Sequence, residues 1–337
     1  MSSTLSRRSF LRSSIAAAAV GTAGAWSLQE PAMAAAGAAP LLPYTGDSYF
    51  RSTVGALSVD STRTAAFRSF MKTHPDQKKF AYPRINGAAS GNSWGTTFHL
   101  GSASDPVWKL KNPRTETKIL ATQGFHMADA VAARVPTGTQ DRPLLVVDPV
   151  LGYSIFCADV VPDRATRTIT VSNSAVDYHA SNGLDGRNPR SNDKRNFNSR
   201  GRIPDALVIR PDLLSYGMAN GTGLGHVLQA FFVETRSADG FRHPMVGAEN
   251  SKVGFGAEGE RLAISPSVDL TKRGLSPAGL VLARTLQQHG MYLGDNSGSF
   301  TKLKGAQSTS TYDPYGGALN ADSLKRITWD DFVVLER

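Results

Sequence analysis

The residue types best suited to chemistry concentrate in segment 177–202, where Asp177, Tyr178, His179, Asn182, Arg187, Arg190 and Arg195 stand among Gly, Asn and further Lys and Arg. A polar stretch this long between ordered elements is more often functional or disordered than a plain connection. Guanidiniums at this density suit the carboxylates, sulfates or phosphates of a ligand. Asn182, Arg187, Arg190 and Arg195 are therefore candidates for substrate binding, with a solvated basic loop as the plain alternative. His179 beside Tyr178 supplies the acid and base types that remove the proton next to a uronate carboxylate, which a neighbouring Arg or Asn would neutralise. That is the chemistry of a polysaccharide lyase.

A second set of candidates favours hydrolysis. Cleaving a glycosidic bond takes two carboxyls about 5–10 Å apart; candidates include Asp148, Glu234, Glu249 and Asp295, but no pair is close enough in sequence to fix a spacing. Around His226 the two-residue period of a strand places His226, Ala230, Phe232 and Glu234 on one face. At the usual strand rise His226 and Glu234 would be about 27 Å apart, too far to act together. His226, His179, Tyr178, Glu234 and Asp148 stand as the catalytic candidates, and a hydrogen-bonded structural role is the alternative for His226.

Metal and cofactor signals are thin. The seven histidines, at 74, 99, 126, 179, 226, 243 and 289, form no i,i+2 or i,i+4 pair, and there is one cysteine. That gives no zinc pattern. No motif for nucleotide or haem binding and no Gly-x-Ser-x-Gly elbow is present. Asp295-Asn296-Ser297-Gly298 reads as an Asx turn, with a calcium loop as the other reading.

The elements that must position these residues are mostly short strands. Segments 144–147, 153–158, 167–171, 230–233, 262–264 and 332–335 are apolar or alternating runs separated by Gly, Pro and Asn. Helices are expected over 61–72, capped by Asp60 or Ser61, and from Ser276-Pro277 to Gly290, with a short one over 321–326. Gly217, Gly221, Gly223 and Gly225 read as turn residues. The pattern predicts a mainly β fold, a jelly-roll-like β-sandwich with two or three peripheral helices. Cys157 falls in a strand run and reads as a small buried hydrophobe, so no disulfide framework holds the core.

The first 36 residues read as a twin-arginine signal peptide. Arg7-Arg8 precedes an apolar stretch over 15–26 and then small-x-small sites at Ala32-Met33-Ala34 and Ala34-Ala35-Ala36. The apolar stretch is short of the ~20 residues of a bilayer span, so no stable membrane anchor is expected. Residues 37–337 are then one secreted, β-rich domain, exported folded by the twin-arginine translocase, a route that permits but does not require a cofactor loaded before export. The full chain has 37 Lys+Arg and 28 Asp+Glu; without Arg7, Arg8, Arg12 and Glu30 the balance is 34 to 27, a net charge of +7. That balance favours an anionic partner. Nucleic acid is disfavoured by export and by the few aromatics among the basic residues.

The order Gly225-His226-Val227-Leu228, then 259–270, then 283–296 through Tyr292 and Asp295-Asn296, then Trp329-Asp330-Asp331-Phe332, resembles a group of secreted bacterial proteins, actinobacterial ones above all. These carry a His-Ala-Leu strand, a Ser-hydrophobic-Asp-Ile stretch and an Asp-Asn-Gly turn. The likeness covers most of the mature chain and is tightest from residue 203 onward. This chain departs from the group at Asp141-Arg142-Pro143, where the histidine of an Asp-x-His motif is absent, and at His243-Pro244, where the histidine precedes the proline. The resemblance implies one continuous secreted domain, singles out His226 and Asp295, and names no reaction. Asp295 and His243 join the substrate-binding candidates. The expected function is a secreted lyase or glycoside hydrolase acting on an extracellular, anionic polysaccharide. The alternative is a non-catalytic protein that binds such a polymer or the cell wall.

Overall fold

Two helices begin where capping chemistry starts them. In α1 (Ser61–Thr73) the Asp60 side chain accepts from the Arg63 backbone N–H at 2.8 Å. In α5 (Pro277–Gln288) the Ser276 hydroxyl accepts from Gly279 N at 3.1 Å, and Pro277 occupies the first turn. Each cap satisfies an N–H that the helix itself cannot. The structure, a computed structural model, describes residues 39–55, 57–88, 94–137, 141–182 and 207–336.

Among the described residues the chain is sheet-rich, with fourteen strands in three sheets and five α-helices. The first sheet has six strands: β1 (Arg84–Asn86), β10 (Leu228–Phe232), β11 (Arg261–Ile264), β12 (Met291–Asn296), β13 (Lys302–Lys304) and β14 (Phe332–Val334), in the order β1-β13-β10-β12-β11-β14. The second has β2 (Thr97–Leu100), β5 (Leu144–Asp148), β6 (Tyr153–Ala158) and β9 (Asn173–Tyr178), and the third has β3 (Val107–Leu110), β4 (Phe125–His126), β7 (Val161–Asp163) and β8 (Thr168–Thr170). All three sheets mix strand directions. β10 runs parallel to β12 and β1 to β13, while β10 is antiparallel to β13 and β11 to β12. In the second sheet β2 is parallel to β5, which is antiparallel to β6. In the third, β3 is parallel to β8 and antiparallel to β4.

The apolar side chains sort into layers. Phe67 and Met71 of α1 and Val281, Leu282 and Leu286 of α5 bury against Leu228, Ala230, Phe232, Met291 and Leu293 on one face of the six-stranded sheet. Between the second and third sheets, Leu144, Val146, Ile155 and Val176 meet Trp108, Phe125 and Ile169. Each such side chain, fully buried, contributes about 1.5–3 kcal/mol. Cys157 belongs to this second layer, is unpaired and fully buried, and its thiol is pushed up to about 12 by burial. It has the packing role expected of it.

Two expectations about helices need correction. Segment 321–326 forms turns: Asn320 N donates to Ser323 Oγ at 3.0 Å and Asp322 N to Asn320 Oδ1 at 2.9 Å. Such local side-chain bonds compete with the helical ladder. Conversely, Gly217 lies inside α4 (Pro211–Asn220), not in a turn. A Cβ at Gly217 would stand 2.7 Å from Val281 Cγ1, so this glycine lets α4 press closely on α5. With α4 and the short α2 (Ile119–Thr122) and α3 (Asp129–Arg134), helices exceed the two or three expected.

Candidate functional site

The parallel pairing of β10 and β12 brings their carboxyl ends to one edge of the sheet. Segment 234–260 leaves β10 there and folds back over both ends. It is pinned by bridges Arg236 to Val253 and Phe241 to Glu258, and by Phe255 N donating to Glu234 O at 3.0 Å. The fold-back is close. A Cβ at Gly254 would lie 2.1 Å from Glu234 O, so only glycine fits.

This lobe sets Glu249 against Asp295 at the end of β12, and their carboxyls share a hydrogen bond. Asn296 N approaches Glu249 Oε1 at 3.4 Å, and the Lys252 ammonium is 3.3 Å from Glu249 Oε2. Burial opposes ionisation of Glu249, but the hydrogen bonds from Asp295, Asn296 and Lys252 outweigh it and hold its carboxyl down at about 2. Two carboxyls can share a hydrogen bond only with a proton between them, so the pair holds one proton in common. Glu249 N in turn donates to Oε1 of buried Glu258 at 2.9 Å. Asn296 is fixed from the other side: its Oδ1 accepts from Thr235 N at 2.7 Å, and its Nδ2 donates to Thr235 Oγ1 at 3.0 Å. That clamp ties the last residue of β12 to the segment leaving β10, and Asp295 and Asn296 are strand residues, not the start of an Asx turn. Glu249 and Lys252 are both partly open to solvent, at 22% and 30% of their side-chain surface. Phe241 and Val253, on the same lobe, are exposed.

A second polar layer lies between the six-stranded sheet and the second sheet. His179 Nε2 is 3.0 Å from Ser154 Oγ. Its imidazole is pushed down to about 4, by burial first and then by the Arg210 guanidinium, with Asp148 opposing. Arg210 is buried and grips Asp212 through both Nε (3.1 Å) and Nη2 (2.5 Å). His226 is fully buried and is held down at about 3, chiefly by burial, with Arg210 adding to the effect. Its Nδ1 donates to Val227 O at 2.8 Å, which leaves Nε2 as an acceptor with no partner among the described residues. Asp177, opposite Ser154 in the β6–β9 register, is fully buried, and burial pushes its carboxyl well above the usual range.

The sequence candidates therefore separate. His179 and His226 both neighbour Arg210, but His226 has no opening to solvent and its neutral ring is built into the interior. Tyr178 and His179 do not face one substrate. Tyr178 packs on Tyr153 with ring centroids 5.8 Å apart, towards the layer shared with the third sheet, while His179 turns to Ser154. Asp148 is fully buried and saturated. Its Oδ2 accepts from His126 N (2.8 Å) and lies 3.0 Å from His126 Nδ1, and its Oδ1 accepts from Val150 N and Leu151 N. It ends β5 and shapes the turn into β6, with no lone pair left for a substrate. Glu234 lies 3.6 Å from His74 Nε2 and bonds back to its own lobe through Val253 N at 3.4 Å. The Asn182 carbonyl accepts from Ser48 Oγ at 2.8 Å, and exposed His243 sits edge-on to the Tyr49 ring at 4.9 Å. Arg187, Arg190 and Arg195 lie outside the described residues.

Of these candidates, Asp295 meets a second carboxyl, that of Glu249. Sequence reasoning counts Glu249 among the available carboxylates but has no spacing that pairs it with Asp295. Among the described residues no group of three or more His, Cys, Asp or Glu is placed to hold a metal ion, and no helix is long and apolar enough to cross a membrane. Comparison with protein-family models, curated proteins and solved structures returned no match.

Proposed function

We propose that this chain is a secreted hydrolase of extracellular, anionic polysaccharide that works through Glu249 and Asp295. One observation carries the reading: at a solvent-accessible strand end two carboxyls are in hydrogen-bond contact, and Asp295, Asn296 and Lys252 favour the ionised form of Glu249. Placing the shared proton on Asp295 gives the division of roles that acid–base hydrolysis requires. Asp295 gives its proton to the glycosidic oxygen as the C–O bond breaks. Glu249 takes a proton from the water that attacks the anomeric carbon, and passes it back to Asp295 to close the cycle. The resting contact is tighter than the ~5–10 Å of glycoside hydrolases, so the sugar must part the pair on entering. Lyase chemistry is the weaker variant, because Tyr178 and His179 turn to opposite faces of β9.

The scaffold proposed for this site is a sandwich-like stack of the six-stranded sheet on the second sheet. It is supported by the apolar layer in which Phe156 and Ala175 meet Val227 and Tyr292. The proposal includes export of the folded chain. Substituting Arg7→Lys together with Arg8→Lys should leave the protein inside the producing cell, and its undiminished appearance in the medium would refute the twin-arginine route.

Activity is tested by incubating the secreted protein with uronate-containing and neutral polymers. The expected result is new reducing ends from the uronate polymers without unsaturated, ultraviolet-absorbing ends. Unsaturated ends would transfer the assignment to a lyase. No cleavage of any polymer would leave the non-catalytic binding protein as the better reading.

A further inference from the structure

The six-stranded sheet carries a second cluster of polar side chains. At its β1–β13–β10 edge, Arg84, Lys302 and Phe231 stand in register across three strands, and Asn86 and Lys304 pair in the next row. The alternate residues Ile85, Leu303 and Ala230 point into the core beneath the helices. Arg84, Lys302, Lys304 and Phe231 therefore share the opposite, partly exposed face. Aromatic rings are interleaved with the cations. The Arg84 guanidinium carbon is 4.6 Å from the Phe80 ring centroid, and the Lys302 ammonium is 4.8 Å from that of Phe300. The Lys304 ammonium lies 4.7 Å from the Phe231 centroid, and the Phe80 and Phe300 rings are 4.3 Å apart.

Two of these cations differ in their counter-charges. Asp322 serves Arg84 at 3.1 Å and also accepts from the Tyr82 hydroxyl at 2.8 Å. Lys302 has no carboxylate partner among the described residues, and its register partner on β1 is Arg84, of the same sign. With Asp322 on Arg84, Lys302 is the cation of this row that lacks a carboxylate partner among the described residues, and an anion beside it would relieve its repulsion by Arg84. Strand spacing of about 4.8 Å and a two-residue repeat of about 6.7 Å make this a grid of positive charge. Flat rings between the charges offer stacking surfaces for the C–H faces of sugars.

We propose that this face binds an anionic polysaccharide, with a uronate carboxylate on Lys302 and a sugar ring against Phe300 and Phe80. The segment that follows Asp295 leads straight to it. Ser297 N donates to Phe232 O at 2.7 Å, and Ser297 Oγ donates to Phe300 O at 2.9 Å, so one tight turn joins the carboxyl pair to the face. That the face delivers substrate to Glu249 and Asp295 rests on the hydrolase reading; that it binds the polymer does not.

The test is affinity electrophoresis of the purified chain in gels containing polygalacturonate, dextran or single-stranded oligothymidylate, with melting temperature as the fold control. Retardation by polygalacturonate and none by dextran is expected. Lys302→Gln should weaken binding roughly ten-fold at low salt and flatten its salt dependence. Phe300→Ala should weaken it several-fold with little change in salt dependence. Exposed Lys111→Gln, which removes one charge elsewhere, should leave binding unchanged. Equal losses from Lys111→Gln and Lys302→Gln, tighter binding of oligothymidylate than of polygalacturonate, or no retardation would each overturn the proposal. Reducing ends are read in parallel. Binding without cleavage counts against the hydrolase alone, and cleavage with unchanged affinity in Lys302→Gln counts against this face alone.

Discussion

Asp295→Asn is expected to lower the turnover of a uronate polymer by roughly 10³-fold, about 4 kcal/mol in the barrier, while leaving the fold and the affinity for the polymer in place. The substitution is informative because Asn keeps the geometry. Its Nδ2–H can still donate to Glu249, so the hydrogen bond that ties β12 to the 234–260 lobe survives. What is lost is the transferable proton. Glu249→Gln should cost as much by a different route. With the ionised acceptor gone, the proton on Asp295 loses its reason to stay, so base and acid fail together. The two changes act on one unit, and the double variant should be little worse than either alone. A loss in Asp295→Asn that appears wholly as a higher KM, with kcat intact, would refute the assignment, since a residue that only positions substrate behaves that way.

The same pair sets an unusual expectation for acid. Glu249 is held down at about 2, so the base stays ionised far below the range in which ordinary carboxylates protonate. On the hydrolase reading, the acid limb of kcat/KM, which reports the free protein with the pair closed, should therefore follow loss of the folded state and not titration of Glu249.

Much of the scaffold is legible in the sequence because its signals are local. Asp60 before α1, Ser276-Pro277 at the start of α5 and the apolar run of β5 each announce themselves within a few residues. The period of two along β9 also implies that Tyr178 and His179 face opposite ways, which by itself weighs against a lyase pair. Pairing between distant segments is not legible in this way. Nothing in the sequence around Glu249 says that it will fold over the end of β12, because that contact depends on β10 and β12 running parallel and on Gly254 letting the lobe close. Gly217 misleads for a related reason: its lack of a side chain serves the approach of α4 to Val281, a tertiary fact that looks like a turn signal from within its own segment. Asp148 is a reasonable carboxylate to suspect from its place at a strand end, but the hydrogen bonds that occupy it come partly from His126, more than twenty residues away.

The interior histidine sets the second large effect, a loss of stability in acid. His226 is fully buried and held at about 3, against about 6.5 in an unfolded chain. Below pH 6.5 the unfolded chain gains a proton that the folded one refuses, so folding weakens as pH falls from about 6.5 towards 3 and levels off below that. Between pH 7 and pH 4 the difference amounts to about 3 kcal/mol, a large part of the 5–15 kcal/mol that holds a typical domain together. His179, held at about 4, acts in the same direction. Asp177 acts oppositely, because a carboxyl kept protonated by burial favours the fold at low pH and weakens it as pH rises. It works against the acid loss that the two histidines set. His226→Asn separates the contribution of the ring. Asn can still donate to Val227 O, as Nδ1 does now, but it does not titrate. The variant should be somewhat less stable at pH 7 because of the space left, and should lose about 3 kcal/mol less than the parent between pH 7 and pH 4 by urea unfolding. Parallel losses in the two proteins would mean that His226 does not drive the acid limb, and the neutral, unpartnered Nε2 would have to be read as satisfied by a proton donor.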